Sequence, residues 1–274
     1  MKPFSYILFL VAFNYSNAQT DTIYTTKEKI SCVVKEIAPD LVKYTYVGED
    51  VINSIYKNTV LKIVFKSGRV QVFAEPLKFN KIISPNDYAK VTFTQAESEI
   101  QGLYKIAEVM AKARGTTTLS SIQNVRERAH EKLKIFAALN GANVVWLTQQ
   151  QTAGNQYGNN YSPGRSTETF ISGIAYSDYL PDYNEFMKLI NAKSTFRVIY
   201  KYKLWNSGTE LEASEYESNI KNVKFKNDKD FIVFSGELFN FEGHVYRVTY
   251  FTNKYFLAVT KDNEATYSLR IALD

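Results

Sequence analysis

Few residues of this chain belong to the types that hold metals or act as nucleophiles. The 274-residue sequence contains one cysteine and two histidines. Cys32 lies in the stretch "ISCVVKEI" with no histidine or cationic cluster beside it, which predicts a small buried side chain rather than a reactive thiol. We expect His130 on the solvated face of a helix and His244 at the edge of a turn. Zinc and copper sites need several converging ligands, so the sequence predicts no metal site and no bound cofactor.

Catalytic motifs are equally sparse. The sequence has no G-x-S-x-G elbow and no S-x-x-K beside a plausible apparatus. The glycine-containing run "GNQYGNNYSPG" lacks G-K-[ST] and leads into a strand rather than a helix, so it does not predict a phosphate site. These absences favour a protein that is not an enzyme. Asp and Glu residues are scattered along the chain, which leaves an enzyme of unrecognised type as an alternative.

One polar run has the composition of an interaction surface. "QQQTAGNQYGNNYSPGRS" follows the apolar stretch "NVVWLT" and contains Gln149, Tyr157, Tyr161 and Arg165. Tyrosine and arginine commonly anchor interfaces, while asparagine and glycine adapt to a partner. We predict an interaction loop formed by these residues. The alternative is a polar hairpin loop that is merely mobile.

The first residues resemble a secretory signal. Met1-Lys2-Pro3 is followed by the apolar run "FSYILFLVAF" and the small-residue context "NYSNAQ", which predicts cleavage after Ala18. The apolar run is shorter than the roughly 20 residues of a membrane-spanning helix. We therefore expect an exported protein, periplasmic, outer-membrane-associated or extracellular, with no transmembrane span in the mature chain. An uncleaved anchor is the alternative.

Composition narrows the class further. One cysteine excludes an internal disulfide, so packing must supply the stability. The net charge of +5 comes from interspersed charges without a basic block, which argues against a nucleic-acid partner. The 20 tyrosines and 18 phenylalanines fit a β-rich chain.

Three regions that differ in pattern follow the signal at 1–18. Residues 19–84 read as a β-meander that includes the hairpin "VLKIVF", "KSGR", "VQVF", with Gly68 in its turn. Residues 85–177 read as a mixed central domain, and residues 178–274 as a β-rich region. The predicted fold class is α+β, with β-rich N- and C-terminal regions flanking a central domain in which one main helix packs on a small sheet.

The main helix is predicted at Ser121 to Asn140. Ser120 is the expected N-cap, with Gln123 completing a capping box, and Gly141 is the expected glycine after the helix. Its apolar stripe is formed by residues at helical spacing: Ile122, Val125, Ala129, Leu133, Phe136 and Ala137. The segments "NVVWLTQQQ" and "TETFISGIAYS" predict two strands joined by the polar run.

The last region begins with a predicted short helix in "PDYNEFMKLINA", with Asp182 as its N-cap. Six strand patterns joined by short polar connections follow, which favours antiparallel hairpins. Four rings in this region, those of Tyr200, Tyr202, Trp205 and Phe234, suggest a cup that stacks on a sugar or holds an apolar ligand.

The central region resembles a known family. "AALNGANVV" at residues 137–145, "ETFISGIAYS" and "GLYKIAEVMAKARG" resemble the small domain named for heavy-metal binding, and also the envelope-stress lipoprotein that feeds the Rcs phosphorelay. Similar runs occur in secreted proteins of Gram-negative bacteria. The resemblance implies a helix across a small sheet and makes Leu103 to Ala113 a strand, although its composition favours a helix.

These observations predict a secreted or periplasmic, non-enzymatic interaction or sensing protein of the cell envelope, with an envelope protein as its partner. The alternatives are a protein that binds a small apolar or carbohydrate ligand in the C-terminal β region, and an enzyme of unrecognised type. The sequence leaves the oligomeric state open.

Overall fold

The chain separates into two compact units, Met1–Pro76 and Leu77–Asp274. In the computed structural model the described residues are 20–25, 28–73, 79–159, 161, 163–190, 193–238 and 245–273. The predicted signal segment and His244 lie outside these residues. The limits predicted for the three regions stay predictions.

The first unit is an antiparallel sheet, as the alternating patterns predict. Its strands are β1 (Asp21–Thr25), β2 (Lys29–Ile37), β3 (Leu41–Tyr46), β4 (Asn53–Tyr56), β5 (Val60–Val64) and β6 (Val70–Val72), and a 3₁₀ turn spans Lys57–Thr59. The spatial order is β4-β3-β2-β1-β5-β6. The predicted hairpin is confirmed as β5 and β6, and Gly68 in its turn has φ +80°.

Two buried side chains of the first unit show how it is held. The carboxylate of Asp21 accepts hydrogen bonds from the backbone N–H groups of Val34 and Lys66, both at 2.8 Å, and so ties three segments together. Cys32 is fully buried among Ile23, Ile30 and their neighbours. Burial raises the pKa of its thiol to about 11, which favours the inert thiol that the sequence predicts.

The described part of the second unit contains a four-stranded sheet, two α-helices and a barrel. The sheet strands are β7 (Thr92–Thr94), β8 (Tyr104–Arg114), β9 (Val144–Ala153) and β10 (Glu168–Ser177), in the order β7-β9-β10-β8. The helices are α1 (Ile122–Leu139) and α2 (Tyr183–Ile190), and 3₁₀ turns lie at Pro85–Lys90 and Glu97–Glu99. The strand implied at Leu103 to Ala113 is confirmed as β8, because pairing with β10 overrides helix propensity.

The six C-terminal strands close into an antiparallel barrel. They are β11 (Phe196–Trp205), β12 (Glu212–Asp228), β13 (Phe231–Leu238), β14 (Val245–Phe251), β15 (Tyr255–Lys261) and β16 (Ala265–Ala272). The predicted hairpins are confirmed, and pairing of β11 with β16 closes the ring. Helix α2 contributes Phe186 and Ile190 to the barrel core, and Asp182 accepts the N–H of Glu185 at 2.7 Å as the predicted cap.

Helix α1 differs from the prediction at its start. The N-cap is Ser121, whose hydroxyl accepts the N–H of Asn124, and not Ser120, whose hydroxyl accepts the N–H of Thr117 in the preceding turn. The predicted capping box is therefore wrong, because Gln123 lies one position too early and instead donates to Glu127 at 2.9 Å. At the other end, the predicted Gly141 is confirmed with φ +75°.

Helix α1 is buried on two sides. Val125, Ala129 and Leu133 pack on the four-stranded sheet, as the predicted stripe requires. Ile135 and Leu139 pack on the outside of the barrel, against Tyr202, Leu204 and Leu257. The helix therefore joins the sheet and the barrel into one unit.

The overall class agrees with the prediction: the protein is α+β and dominated by strands. Within the part of the chain that the structure describes, no helix combines the length and apolar character needed to cross a membrane.

Replacing Gly141 by alanine should destabilise the second unit by about 2 kcal/mol or more in urea unfolding, since it adds a left-handed backbone penalty to overpacking. The added Cβ would lie 2.8 Å from Cβ of Thr249, at a backbone φ of +75°. Gly154→Ala is the matched control, because its Cβ would meet only Ile122 Cδ1 at 3.6 Å. Equal stability of the two variants would contradict this account of the helix end.

Candidate functional site

A groove of about 660 Å³ lies between the sheet and the barrel of the second unit. One wall is formed by residues 106–110 of β8. The rest is lined by Phe136 of α1, by Asn140 directly after that helix, and by residues of β13 to β16. Because five consecutive residues of β8 line this groove, which we call the β8 groove, it exposes main chain as well as side chains.

Strand β8 is the edge of its sheet. Among the described residues it pairs with β10 alone, so one side of its main chain has no strand partner there. Its 11 residues make it much longer than the three-residue strand β7 at the opposite edge. A long edge strand carries N–H and C=O groups that can pair with a further strand.

Apolar side chains cover both walls of the β8 groove. Met110 on β8 is 63% exposed and Val245 on β14 is 62% exposed. Phe136 and Val233 are half-buried there, and Val259 is buried. Large apolar side chains left open to water in a concavity are typical of binding sites.

Arg247 lies in the same groove, on the outside of the barrel. Its Nη2 donates to the Oδ1 of Asn140 at 2.8 Å and to the carbonyl oxygen of Asn140 at 3.3 Å, at the C-terminal end of α1. Its guanidinium carbon lies 5.1 Å from the ring centre of Phe231. Burial lowers the pKa of Arg247 to about 10.

The charge balance of the β8 groove is positive. Among the described residues no carboxylate forms an ion pair with Arg247 or with Lys261, which also lines the groove. Glu108 lines it too, but its carboxylate pairs with Lys105 at 3.1 Å. The groove therefore offers positive charge beside apolar walls and an open strand edge.

The predicted interaction loop forms a second candidate surface. It connects β9 to β10 through residues 154–167, of which 160 and 162 are outside the described residues. Asn155 fixes its base: the side-chain amide donates to the carbonyl of Ser120 at 2.9 Å and accepts the N–H and hydroxyl of Thr167 at 2.8 and 2.9 Å. Thr167 is fully buried. A buried polar base holds an exposed tip, which we call the tip loop.

Three of the four predicted loop residues lie in the tip loop, and the fourth does not. Tyr157 and Tyr161 are 75% and 98% exposed. Arg165 is exposed and its backbone pairs with Gln156, next to Tyr157. Gln149 is exposed but lies within β9 opposite Ser172, so it does not belong to the tip loop.

The two histidine predictions fare differently. His244 lies outside the described residues. His130 is half-buried rather than solvated, with its ring centre 5.4 Å from that of Phe93. The pKa of His130 is lowered, mainly because burial disfavours its charged form. No group of three or more His, Cys, Asp or Glu side chains that could hold a metal occurs within the described ranges.

The predicted ring-lined cup is wrong. Phe234 stacks on Tyr246 inside the barrel, with ring centres 4.8 Å apart, in a packed core. Tyr202 is buried between the outside of the barrel and α1. Trp205 donates its indole N–H to Glu212 at 2.7 Å. Phe234 and Tyr202 therefore fill space in the fold instead of lining an opening, so the four rings do not form a cup.

Comparisons with known proteins give no further guide. No protein-family model, no curated protein and no solved structure matches this chain.

Sequence reasoning missed Arg247, Met110 and Val245. The local signal at Arg247 is a charged residue within the strand pattern "HVYRVTYF". That pattern places the side chain outside the barrel but cannot say what it meets there, since Arg247 and Asn140 are 107 positions apart.

Stability should fall as the pH drops below about 6.5, in part because of His130. The pKa of His130 is lower in the folded protein than in the unfolded chain, so His130 of the unfolded chain is protonated first as the pH falls. The contribution of neutral His130 to the free energy of unfolding is therefore lost between pH 6.5 and its lower pKa in the folded protein. In urea unfolding at pH 7.5 and pH 5, His130→Gln should lose less stability than the unaltered protein. If His130→Gln and the unaltered protein lost the same stability between pH 7.5 and pH 5, burial of His130 would not contribute to the pH dependence.

Proposed function

We propose that this protein is an exported, non-enzymatic binding protein of the cell envelope that holds an extended polypeptide segment in the β8 groove. The observation that carries the proposal is the juxtaposition of a free strand edge and exposed apolar walls in one concavity. The signal-like residues 1–18 support export to the periplasm, the outer membrane or the exterior of the cell. The resemblance to an envelope-stress lipoprotein supports a sensing role in the same compartment.

An extended polypeptide suits the β8 groove better than an aliphatic ligand does. A hydrocarbon chain would cover the main-chain groups of β8 without satisfying their hydrogen bonds, at a cost in free energy. A peptide strand pairs with those groups and places alternate side chains against the walls. The five lining residues give roughly 17 Å of strand to pair with.

The size of the groove also fits. Ligand sites commonly have volumes of about 300–1,000 Å³, and the β8 groove has about 660 Å³. A groove of this volume can hold a narrow extended segment. A second folded copy of the chain would have to bring its own barrel to the same edge, which makes it a poorer occupant.

The tip loop supports a second candidate function, contact with a folded envelope protein. Its tyrosines are more exposed than any other large apolar or aromatic side chain of the described second unit except Leu119, which is 79% exposed and lies just before α1. Anchoring of the loop base by Asn155 lowers the entropy lost when a partner binds.

We expect a phage-displayed library of random ten-residue peptides to yield segments that alternate apolar and polar residues when selected on the mature protein. Met110→Glu with Val245→Glu should weaken their binding about tenfold or more, because charge replaces apolar wall. Val72→Glu, at a 72% exposed position of the first unit, is the matched control and should not change binding.

Two results would overturn the proposal. One is a library in which every selected peptide binds the double variant as tightly as it binds the unaltered protein. The other is a concentration-dependent dimer in analytical ultracentrifugation that Met110→Glu dissociates, because β8 would then be occupied by a second copy.

For the tip loop, Tyr157→Ser with Tyr161→Ser should leave the free energy of unfolding within about 0.5 kcal/mol, since both rings are exposed. Asn155→Ala should lower the free energy of unfolding by about 1–3 kcal/mol, because Thr167 loses its buried hydrogen-bond partner.

If the tip loop contacts an envelope protein, chemical crosslinking in the host envelope should lose one defined adduct in the double tyrosine variant. Retention of all adducts would argue against that second function.

A further inference from the structure

We infer that the β8 groove selects segments carrying an acidic side chain, and that Arg247 is the residue which binds its carboxylate. The inference rests on the proposed function, since it names the chemistry of the segment that the groove would hold. It concerns a specificity determinant and a ligand class.

The first support is the surroundings of Arg247. The side chain is half-buried, its Nη2 bonds only to Asn140, and no described carboxylate neutralises it. Removing a charge from water without an opposite charge is costly, and the helix end supplies only a partial negative charge. A guanidinium has five N–H donors, and Nη2 supplies the only described hydrogen bonds of this one. Donors therefore remain for a ligand.

The second support is the position of Arg247 relative to β8. Arg247, Phe136 and Asn140 line the helix and barrel wall of the same groove that residues 106–110 of β8 line. In a strand added to β8, alternate side chains would point toward that wall. One acidic side chain among them would reach Arg247 while its neighbours met apolar surface.

The third support separates an internal acidic residue from a chain terminus. Strand β8 begins at Tyr104 and ends at Arg114, so it extends past the lining residues 106–110 in both directions. An added strand can therefore continue beyond the groove at either end. The geometry does not require the segment to stop there, so the carboxylate we assign belongs to an aspartate or glutamate side chain.

Lys261 adds to the same selection. It is exposed, lines the groove and has no ion pair among the described residues. Glu108 opposes acidic ligands, but Lys105 at 3.1 Å offsets its charge. Two cations against one paired carboxylate make the groove complementary to an acidic segment.

The test uses three ten-residue peptides of alternating threonine and valine. The first two have blocked ends and carry one central glutamate or glutamine, and the third is the glutamine peptide with a free terminal carboxylate. Affinities are measured by titration calorimetry on the mature protein and on two variants. The variants are Arg247→Gln and the matched control Arg270→Gln, a half-buried arginine of the same unit that bonds Tyr202 at 2.9 Å and does not line the groove.

We expect the glutamate peptide to bind about tenfold or more tightly than the blocked glutamine peptide, as a charge-assisted hydrogen bond allows. Arg247→Gln should abolish this preference while the glutamine peptide still binds, and Arg270→Gln should keep it. A role of Arg247 limited to capping α1 would lower stability without changing the preference.

Besides retention of the preference in Arg247→Gln, three outcomes would overturn the inference, and they are distinguishable. Equal binding of all three peptides would remove carboxylate selection but leave the β8 groove as a peptide site. Preference for the free terminal carboxylate alone would assign Arg247 to chain ends. Failure of every peptide to bind would overturn the proposed function as well.

Discussion

Burial of α1 on two sides is the constraint on which the second unit depends. Leu133 packs toward the sheet and Ile135 toward the barrel, so little of the helix between them can face water. Lys132 is consequently 3% exposed, and its ammonium donates to the carbonyl of Asn206 in the turn after β11, at 2.6 Å. Burial lowers the pKa of this lysine, and the hydrogen bond offsets part of the cost. Packing of α1 between the sheet and the barrel therefore keeps the ammonium of Lys132 out of water.

The β8 groove follows from the same packing. A barrel is convex, so it can contact the helix closely while leaving space beside the neighbouring sheet edge. At Gly141 the contact is close enough that a Cβ would meet Thr249. The barrel has no edge of its own and the opposite sheet edge, β7, is three residues long. The long edge of β8 is thus left beside the barrel wall, where the wall and exposed charges such as Lys105 and Lys112 limit what can pair with it.

Local patterns predict most elements of this fold but few of its contacts. Helical spacing from Val125 to Ala137 and alternation in the strands identify α1, β9, β10 and the barrel strands. A resemblance was needed for β8, whose composition favours a helix. The second buried side of α1 was missed because Ile135 and Leu139 lie outside the predicted apolar stripe, and nothing local marks Lys132 as buried. Barrel closure depends on pairing of β11 with β16, which no local pattern encodes. The tip loop was predictable as a loop because its glycine- and asparagine-rich composition is a local signal.

Arg247 shows why the candidate site was harder to predict than the fold. In an amphipathic strand a single outward arginine reads as an ordinary solvated residue. Its chemistry depends on what stands opposite, and here that is the end of a helix and the wall of an apolar groove. A residue needed only to cap α1 could sit at the surface, where desolvation costs less. Placing the cation in a concavity with exposed Met110 and Val245 keeps charge and apolar surface together, which is the combination that the proposed acidic segment with apolar neighbours would require.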